Sequence, residues 1–369
     1  MRGASGFRNE RPAAQDAAQA EDLSMRIGIL GAGKIGRTLR DMLLAIPGVE
    51  GAALADTAEG ADVRLDASDE AALRAFTRGH QAIASALPFH FNKTVARICA
   101  EERRSYFDFT EDTATTAFIR SIADPDLGVV FMPQCGLAPG AINIIGASLV
   151  ASLDSVRSLE MRVGALPLSA NNEMKYYLSW SSAGLINEYL QPCDALYRGK
   201  PITTLPLEGL EQIVIDGVTY EAFNTSGGVA TMCETFVGRV EELNYKTIRY
   251  PGHRDHLRFV IRDLGLGDRP DLLTQIFDQA VPLTTQDVVL IYVNAVGILR
   301  GRPQQLSYVK KVKAMDNYPA TAIQATTAAG MAAVIELWLQ GKFPNGFLRQ
   351  EDVAFADFLA TRWGGAIYR

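Results

Sequence analysis

Between residues 25 and 147, short runs of apolar residues alternate with segments whose apolar positions recur three and four apart. A short run apolar at nearly every position reads as a strand buried on both faces, and the 3.6-residue period reads as a helix lying against it. On this pattern MRIGILGAG (25–33) is a strand running into glycines, and KIGRTLRDMLLAIPG (34–48) is a helix that stops at Pro47-Gly48. GAALAD (51–56) and ADVRLDAS (61–68) are the next strands, and DEAALRAFTRGH (69–80) is a helix with Ser68 as its N-cap and Glu70 in its first turn. Strands over 81–88, 105–111 and 128–136 then alternate with helices over 91–103, 113–123 and 142–153. The β-α-β-α order predicts a doubly wound parallel sheet.

After about residue 150 the rhythm changes. SVRSLEMRVGALP (155–167) alternates like a half-buried strand, and 209–223 carries a hairpin signal at Asp216-Gly217. Residues 245–252 are extended, whereas 253–265 and 270–280 have helical spacing. DVVLIYVNAVGILRGRPQQLSYVKKVKAM (287–315) reads as two strands joined by a polar turn. Residues 319–341 form a long helix of small residues, with Pro319 suited to its first turn and Gly341 to its end. Strands grouped this way predict a second α+β domain with a mixed sheet.

Composition narrows the function. A net charge of −6 excludes a broad basic face for nucleic acid. The four cysteines (Cys99, Cys135, Cys193, Cys233) form no CxxC pair, and the His253–His256 pair alone is poor metal spacing, so no metal is expected. No apolar run reaches the ~18 residues of a membrane span. Residues 1–24 are polar and lack the apolar stretch of a signal peptide; they read as a disordered leader, or as an over-long start ahead of Met25. The expected location is the cytoplasm.

The chemistry begins at Gly31-Ala32-Gly33-Lys34-Ile35-Gly36, a G-x-G-x-x-G that follows an apolar strand and opens a helix. In that context Gly31 makes the tight turn, Gly33 lets backbone approach a pyrophosphate, and Gly36 lets helix and strand pack closely. The Lys34 and Ile35 amides point to the same phosphates from the helix N-terminus. Asp56, 20 residues past Gly36, ends the next strand and is placed to accept the hydroxyls of an adenosine ribose. Thr57 and Ala58 follow with no adjacent arginine for a 2′-phosphate, which favours NAD over NADP. Ser85, Leu87 and Pro88 end the fourth strand beside the nicotinamide ribose. The same rule brings Asp108, Thr110 and Glu111, and then Cys135-Gly136, to one crevice at the carboxyl ends of the strands.

GAGKIG with Asp56, SALPFHFN, YFDFTED and above all Pro133-Gln134-Cys135-Gly136-Leu137-Ala138-Pro139-Gly140 resemble the saccharopine dehydrogenase family. Trp180-Ser181, Gly184 to Tyr189, Asn224 to Gly228 and Tyr250 to His253 are similar to its lysine 6-dehydrogenase branch. The resemblance runs over nearly the whole chain from Met25. It implies an NAD-binding domain over 25–147, a substrate and dimerisation domain over 148–318, and a C-terminal helical segment over 319–369 that packs back on the first domain. It also implies a homodimer or higher homo-oligomer acting on a small amino-acid substrate. In that branch the ε-amine of L-lysine is oxidised, ammonia is released, and the 6-semialdehyde cyclises to piperideine-6-carboxylate.

Such a reaction needs a proton acceptor beside the amine and a counter-charge for the substrate carboxylate. Asp108 and Glu111 are the acid–base candidates, with Cys135 as a polar wall of the site and His253 as a proton relay. Family members place matching Asp and Cys positions at the substrate. Arg249, Lys175 and Arg162 are candidates for the carboxylate, Asn224 and Thr225 for hydrogen bonds to the amino-acid end, and Trp180 for a wall along the aliphatic chain. Two rivals stand beside this reading. One is a saccharopine-type dehydrogenase, whose tricarboxylate substrate calls for more than one arginine; the other is a non-catalytic NAD-responsive binding protein.

Overall fold

The computed structural model describes residues 25–314 and 319–369. The leader expected over 1–24, and Met315 at the end of the expected strand pair, lie outside the described residues. β1 (Met25–Leu30) leads into α1 (Lys34–Leu44), whose Leu39, Met42 and Leu43 are buried on the sheet. β2 (Val49–Asp56) follows. The strand expected over 61–68 shrinks to β3 (Val63–Arg64), because polar side chains take over the backbone there. Asp62 accepts the Leu54 amide, and Asp66 accepts both the amide and the hydroxyl of Ser68. Ser68 is thereby occupied, and Asp69, not Ser68, caps α2 (Glu70–Arg78) through the amides of Ala71 and Ala72.

The rhythm continues through β4 (Ala82–Ser85), α3 (Asn92–Glu101), β5 (Ser105–Asp108), α4 (Thr113–Ile122), β6 (Val130–Met132) and α5 (Ala141–Ala151). β7 (Ser155–Pro167) then starts a second sheet, and α6 (Ser182–Leu190) packs at its end. β8 (Cys193–Tyr197) and β9 (Lys200–Thr204) form a hairpin, followed by β10 (Glu211–Ile215), β11 (Val218–Asn224), the short α7 (Met232–Phe236) and β12 (Val240–Arg249). α8 (His253–Arg258) runs into one π turn, Phe259–Asp263, and α9 (Pro270–Ala280) follows. β13 (Asp287–Leu299) and β14 (Arg302–Lys313) form the longest hairpin. The chain then returns to the first layer with α10 (Ala322–Leu339), β15 (Gly346–Phe347), α11 (Phe355–Ala360) and α12 (Arg362–Tyr368).

The first sheet has the order β15-β6-β5-β4-β1-β2-β3 with every pair parallel. Its strand order reverses between β1 and β4, which opens the crevice where ligands bind in such sheets. The second has the order β10-β11-β12-β7-β13-β14, mixed because β12 and β7 run parallel while the other pairs on that path are antiparallel. The fold is therefore α/β, a doubly wound Rossmann-type sheet joined to an α+β unit with a mixed sheet.

α10 binds the layers together. It is long and apolar enough to cross a membrane by composition, yet two-thirds of it is buried inside the protein. It lies against α1, and the C-terminal turn locks the pair: Trp363 donates to the Met42 carbonyl (2.8 Å) and Tyr368 to that of Thr326 (2.6 Å). A Cβ at Gly330 would lie 2.3 Å from the Gly136 carbonyl oxygen, so only glycine lets this helix cross the loop after β6 so closely. Thr321, not Pro319, starts α10; its hydroxyl accepts the Gln324 amide, and Pro319 sits two residues earlier. Asp287, at the start of β13 and fully buried, accepts the Ala322 and Ile323 amides at 2.6 and 2.9 Å. Removing that acceptor from two buried N–H groups costs about 1–3 kcal/mol. Asp287→Ala is expected to lower the urea midpoint accordingly, and an unchanged midpoint would refute this anchoring role.

Candidate active site

β1 ends at Leu30 because Gly31 turns with φ +102°, and a Cβ there would meet the Ala86 carbonyl at 2.8 Å. A Cβ at Gly36 would lie 1.9 Å from the Gly31 oxygen, which forces α1 against the turn. Gly33 differs, with nothing within 4 Å of where its Cβ would be. The backbone is thus open to a ligand at one glycine and closed to side chains at the other two. Gly33 also N-caps α1 without a side-chain bond, and the first turn at Lys34 and Ile35 holds no carboxylate to compete with a phosphate.

A cavity of about 240 Å³ lies beside this turn, lined among others by Leu30, Asp56, Thr57, Leu87, Pro88 and Phe91. Asp56 Oδ2 accepts the Ala32 amide at 2.6 Å, and Oδ1 accepts the Ala58 amide at 3.0 Å and the Thr57 hydroxyl at 3.3 Å. Partial burial opposes its charge, but the bonds from Ala58, Ala32 and Thr57 outweigh it and hold the carboxyl below its usual range. An ionised acceptor at this place suits a ribose diol and repels a 2′-phosphate, so the residues present fit NAD. Ser85 ends β4 as expected, and its buried hydroxyl donates to Asn92 Oδ1 at 2.7 Å.

The Ser85–Asn92 bond continues to Asp108. Asn92 Nδ2 (3.3 Å) and the Tyr106 hydroxyl (2.7 Å) donate to Asp108 Oδ2, and the amides of Thr110 (2.9 Å) and Gln134 (3.0 Å) donate to Oδ1. Asp108 is fully buried; desolvation pushes its pKa up to about 6, against the pull of these bonds. With every lone pair engaged it is a knot joining β4, β5 and the loop after β6, not the free proton acceptor expected. Cys135 is likewise built in. Its thiol donates to the Met132 carbonyl (3.0 Å) and receives Gln350 Nε2 (3.2 Å), and burial first, then the Asp108 charge, pushes it well above its ordinary pKa.

The loop from Asp108 leads to Glu111, which faces the second unit. Its Oε1 accepts Asn187 Nδ2 from α6 at 3.2 Å. Gly227, at φ +90°, brings the backbone so close that a Cβ would touch the Glu111 Cβ at 3.0 Å and Oε2 at 3.2 Å. Asn143 of α5 pins this same loop by donating to the Gly228 and Val229 carbonyls. Beside Asn187 stands Glu188, buried and accepting no side-chain hydrogen bond among the described residues. Desolvation and then the Asp112 charge push Glu111 up to about 7, and desolvation and then the charge of Glu111 push Glu188 well above the carboxylate range. One residue from the Ser226 amide, which binds the Glu188 carbonyl at 3.1 Å, the buried Thr225 hydroxyl has no partner among the described residues.

Arg249, at the end of β12, is buried between the rings of Tyr176 (5.2 Å) and Tyr189 (5.8 Å). Nε donates to the Tyr189 hydroxyl (2.9 Å) and Nη1 to the Ile248 carbonyl (2.9 Å), while Nη2 makes no hydrogen bond among the described residues. Arg162, by contrast, is paired with Glu211 at 2.5 Å. His253, the expected relay, is hydrogen-bonded at both ring nitrogens. Burial, then Arg249, pushes its pKa down to about 3, so the neutral ring donates from Nδ1 to the Met174 carbonyl (2.8 Å) and accepts the Tyr189 hydroxyl at Nε2 (3.0 Å). Asn224 also turns away, donating to Thr204 Oγ1 and the Leu205 carbonyl. Trp180 donates to the Tyr176 hydroxyl (3.2 Å) and packs its ring on Gly184, whereas Lys175 is half-buried in a turn at φ +53°. The residues brought together are Glu111, Asn187, Glu188, Thr225 and Arg249 with three tyrosines, including Tyr245 under Gly228. Asn187, Glu188, Tyr176, Tyr189 and Tyr245 are additions; Asn187, Glu188 and Tyr189 left a trace in the sequence, inside the Gly184–Tyr189 run.

These two units, a glycine-turn cradle on a parallel sheet and a buried cluster of acids and one arginine on a mixed sheet, define a fold of the dehydrogenase type. Residues 136–361 match the family model of the saccharopine dehydrogenase C-terminal domain, and the chain belongs to that family. It is 24% identical over 245 residues to the mitochondrial alpha-aminoadipic semialdehyde synthase of Mus musculus, covering 63% of this chain and 26% of the relative. It is 21% identical over 220 residues to the saccharopine dehydrogenase [NADP(+), L-glutamate-forming] of Pyricularia oryzae, covering 55% and 47%. The chain thus spans between about a quarter and a half of these relatives. Among solved structures, the saccharopine dehydrogenase (L-Glu forming) of Saccharomyces cerevisiae shares the fold with TM-score 0.74 at 15% identity, covering 94% of this chain and 98% of that one. The homospermidine synthase of Legionella pneumophila, solved with NAD, follows with TM-score 0.65 at 12% identity, covering 93% and 90%.

An amide at position 108 would present N–H groups to a pair of donors whichever way it turned. Asp108→Asn is expected to destabilise the fold by about 1–3 kcal/mol, visible as a lower thermal midpoint; full retention of that midpoint would free Asp108 from the knot.

Proposed function

We propose that the chain is an NAD-dependent amino-acid dehydrogenase that oxidises the ε-amine of L-lysine to the 6-semialdehyde with release of ammonia. The observation that carries this reading is a buried arginine with one nitrogen unspent, gathered with two carboxylates short of donors where the loop after β5 meets α6 and β12. Gly31, Gly33, the first turn of α1 and Asp56 would hold NAD, which when bound accepts a hydride from the carbon bearing the amine. Arg249 is the residue for the substrate carboxylate, with Thr225 as a further donor. The lysine enters with its ε-nitrogen charged, and Glu111 and Glu188 supply the matching negative charge. Glu111 takes the proton that must leave the nitrogen before hydride can depart, a role suited to a group poised near 7. Water then adds to the iminium carbon, the C–N bond breaks, and ammonia and the aldehyde leave; the aldehyde closes on the α-amine with loss of water.

A saccharopine-type activity is the second reading, supported by the family and by the named relatives. Against it, a substrate with three carboxylates asks for more than Arg249, and Arg162 and Arg254 are already held by Glu211, Glu208 and Asp255.

Following NADH at 340 nm with NAD and either L-lysine or saccharopine tests the choice. Turnover of lysine with stoichiometric ammonia supports the first reading, whereas turnover of saccharopine alone overturns it. The acid limb of kcat/KM should fall as pH drops below about 7, because Glu111 is then protonated and cannot accept. Glu111→Gln should cost about 10²-fold or more and flatten that limb; a wild-type profile in the variant would remove Glu111 from the proton transfer.

A further inference from the structure

Arg37 sits one turn into α1, just beyond the glycines of the turn after β1. Its guanidinium is held by three backbone carbonyls from two separate loops. Nε donates to Ala32 O at 2.7 Å, Nη1 to Gly60 O at 3.1 Å and Nη2 to Glu59 O at 3.2 Å. The Ala32 peptide uses its other side as well, giving its N–H to Asp56 Oδ2 at 2.6 Å. Asp56 Oδ1 in turn holds the Ala58 amide. The bonds close a ring: glycine turn, Arg37, residues 57–60, Asp56 and back to the glycine turn.

Residues 57–60 are all exposed, so no buried side chain fixes them. An exposed loop of this kind opens locally at small cost unless something ties it. Gly60 is shaped for the tie, with φ +79° and a position where a Cβ would lie 3.3 Å from Arg37 Nη2. Asp56 and Thr57, at the root of this loop, line the cavity beside the glycine turn. Arginine suits the task because its planar fork reaches several acceptors at once, which a lysine ammonium on a flexible stem does not.

We propose that Arg37 is a positioning residue of the dinucleotide site: it straps residues 57–60 to the glycine turn and so fixes Asp56 toward the adenosine ribose diol. The inference rests on the dinucleotide reading of that cavity and is independent of the amine substrate. The strap acts on the adenosine half of the cofactor, so it sets affinity and leaves hydride transfer alone.

The test is calorimetric titration of the full chain with ADP-ribose, NAD and nicotinamide mononucleotide, together with steady-state kinetics. Arg37→Met should raise the Kd for ADP-ribose and the KM for NAD by about tenfold, with kcat at saturating NAD within about twofold of wild type. Arg37→Lys should fall between the two, and binding of nicotinamide mononucleotide should not change. Gly60→Ala, which crowds the same contact from the loop side, should shift ADP-ribose in the same direction and serves where Arg37→Met fails to fold. Unchanged ADP-ribose affinity in the variants, or equal losses for both half-cofactors, would overturn the strap alone. A wild-type protein that does not bind ADP-ribose would overturn the dinucleotide reading and the strap with it.

Discussion

A carboxylate taken out of water must be met by donors or held as the neutral acid, and the site is organised by which of its carboxylates received donors. Asp108 has four, Asp56 three and Asp287 two. Those three fix strand ends, the cofactor turn and the start of α10. Glu111 has one and Glu188 none among the described residues. Arg249 follows the same logic with opposite sign, buried against two tyrosine rings with one nitrogen unspent. Groups left short of partners in a folded protein are costly, and they collect where a ligand is to supply what is missing.

The fold serves this arrangement by bringing distant segments to one place. The loop after β5 delivers Glu111, α6 delivers Asn187 and Glu188, the turn after β11 delivers Thr225, and β12 delivers Arg249. Asn143 holds the turn at Gly228 and Val229 from the first unit, and Asn187 reaches back to Glu111, so two side-chain amides couple the two halves of the cluster. Tyr189 accepts from Arg249 and donates to His253, which makes the histidine a fixed neutral buttress.

Much of this was legible in the sequence. The β1–glycine–α1 unit, Asp56, the alternating strands and helices, and the β13–β14 hairpin announce themselves through periodicity and turn residues. What was not legible depends on contacts between remote residues. Asp108 reads as a free acid at a strand end because Asn92 and Gln134, which help satisfy it, belong to other elements, and the bond from Tyr106 in its own strand is not announced by any pattern. Ser68 reads as a cap until Asp66 claims its hydroxyl. The β8–β9 hairpin turns at Arg198-Gly199, both with positive φ, where no Asn-Gly or Asp-Gly marks the turn. Glu188 was hidden because a charged residue within a helix ordinarily faces water, and only the packing of α6 shows this one buried.

The central proposal is that Glu111 and Glu188, buried with few donors and held above the ordinary carboxylate range by desolvation, meet the cationic end of the substrate amine. Titrating L-lysine into the NADH complex by calorimetry near pH 7, in phosphate and in Tris, tests it most directly. The account predicts net proton release on binding, seen as an apparent enthalpy that differs between the buffers and loses most of that difference in Glu188→Gln. Lysine binding with the same enthalpy in both buffers would contradict it.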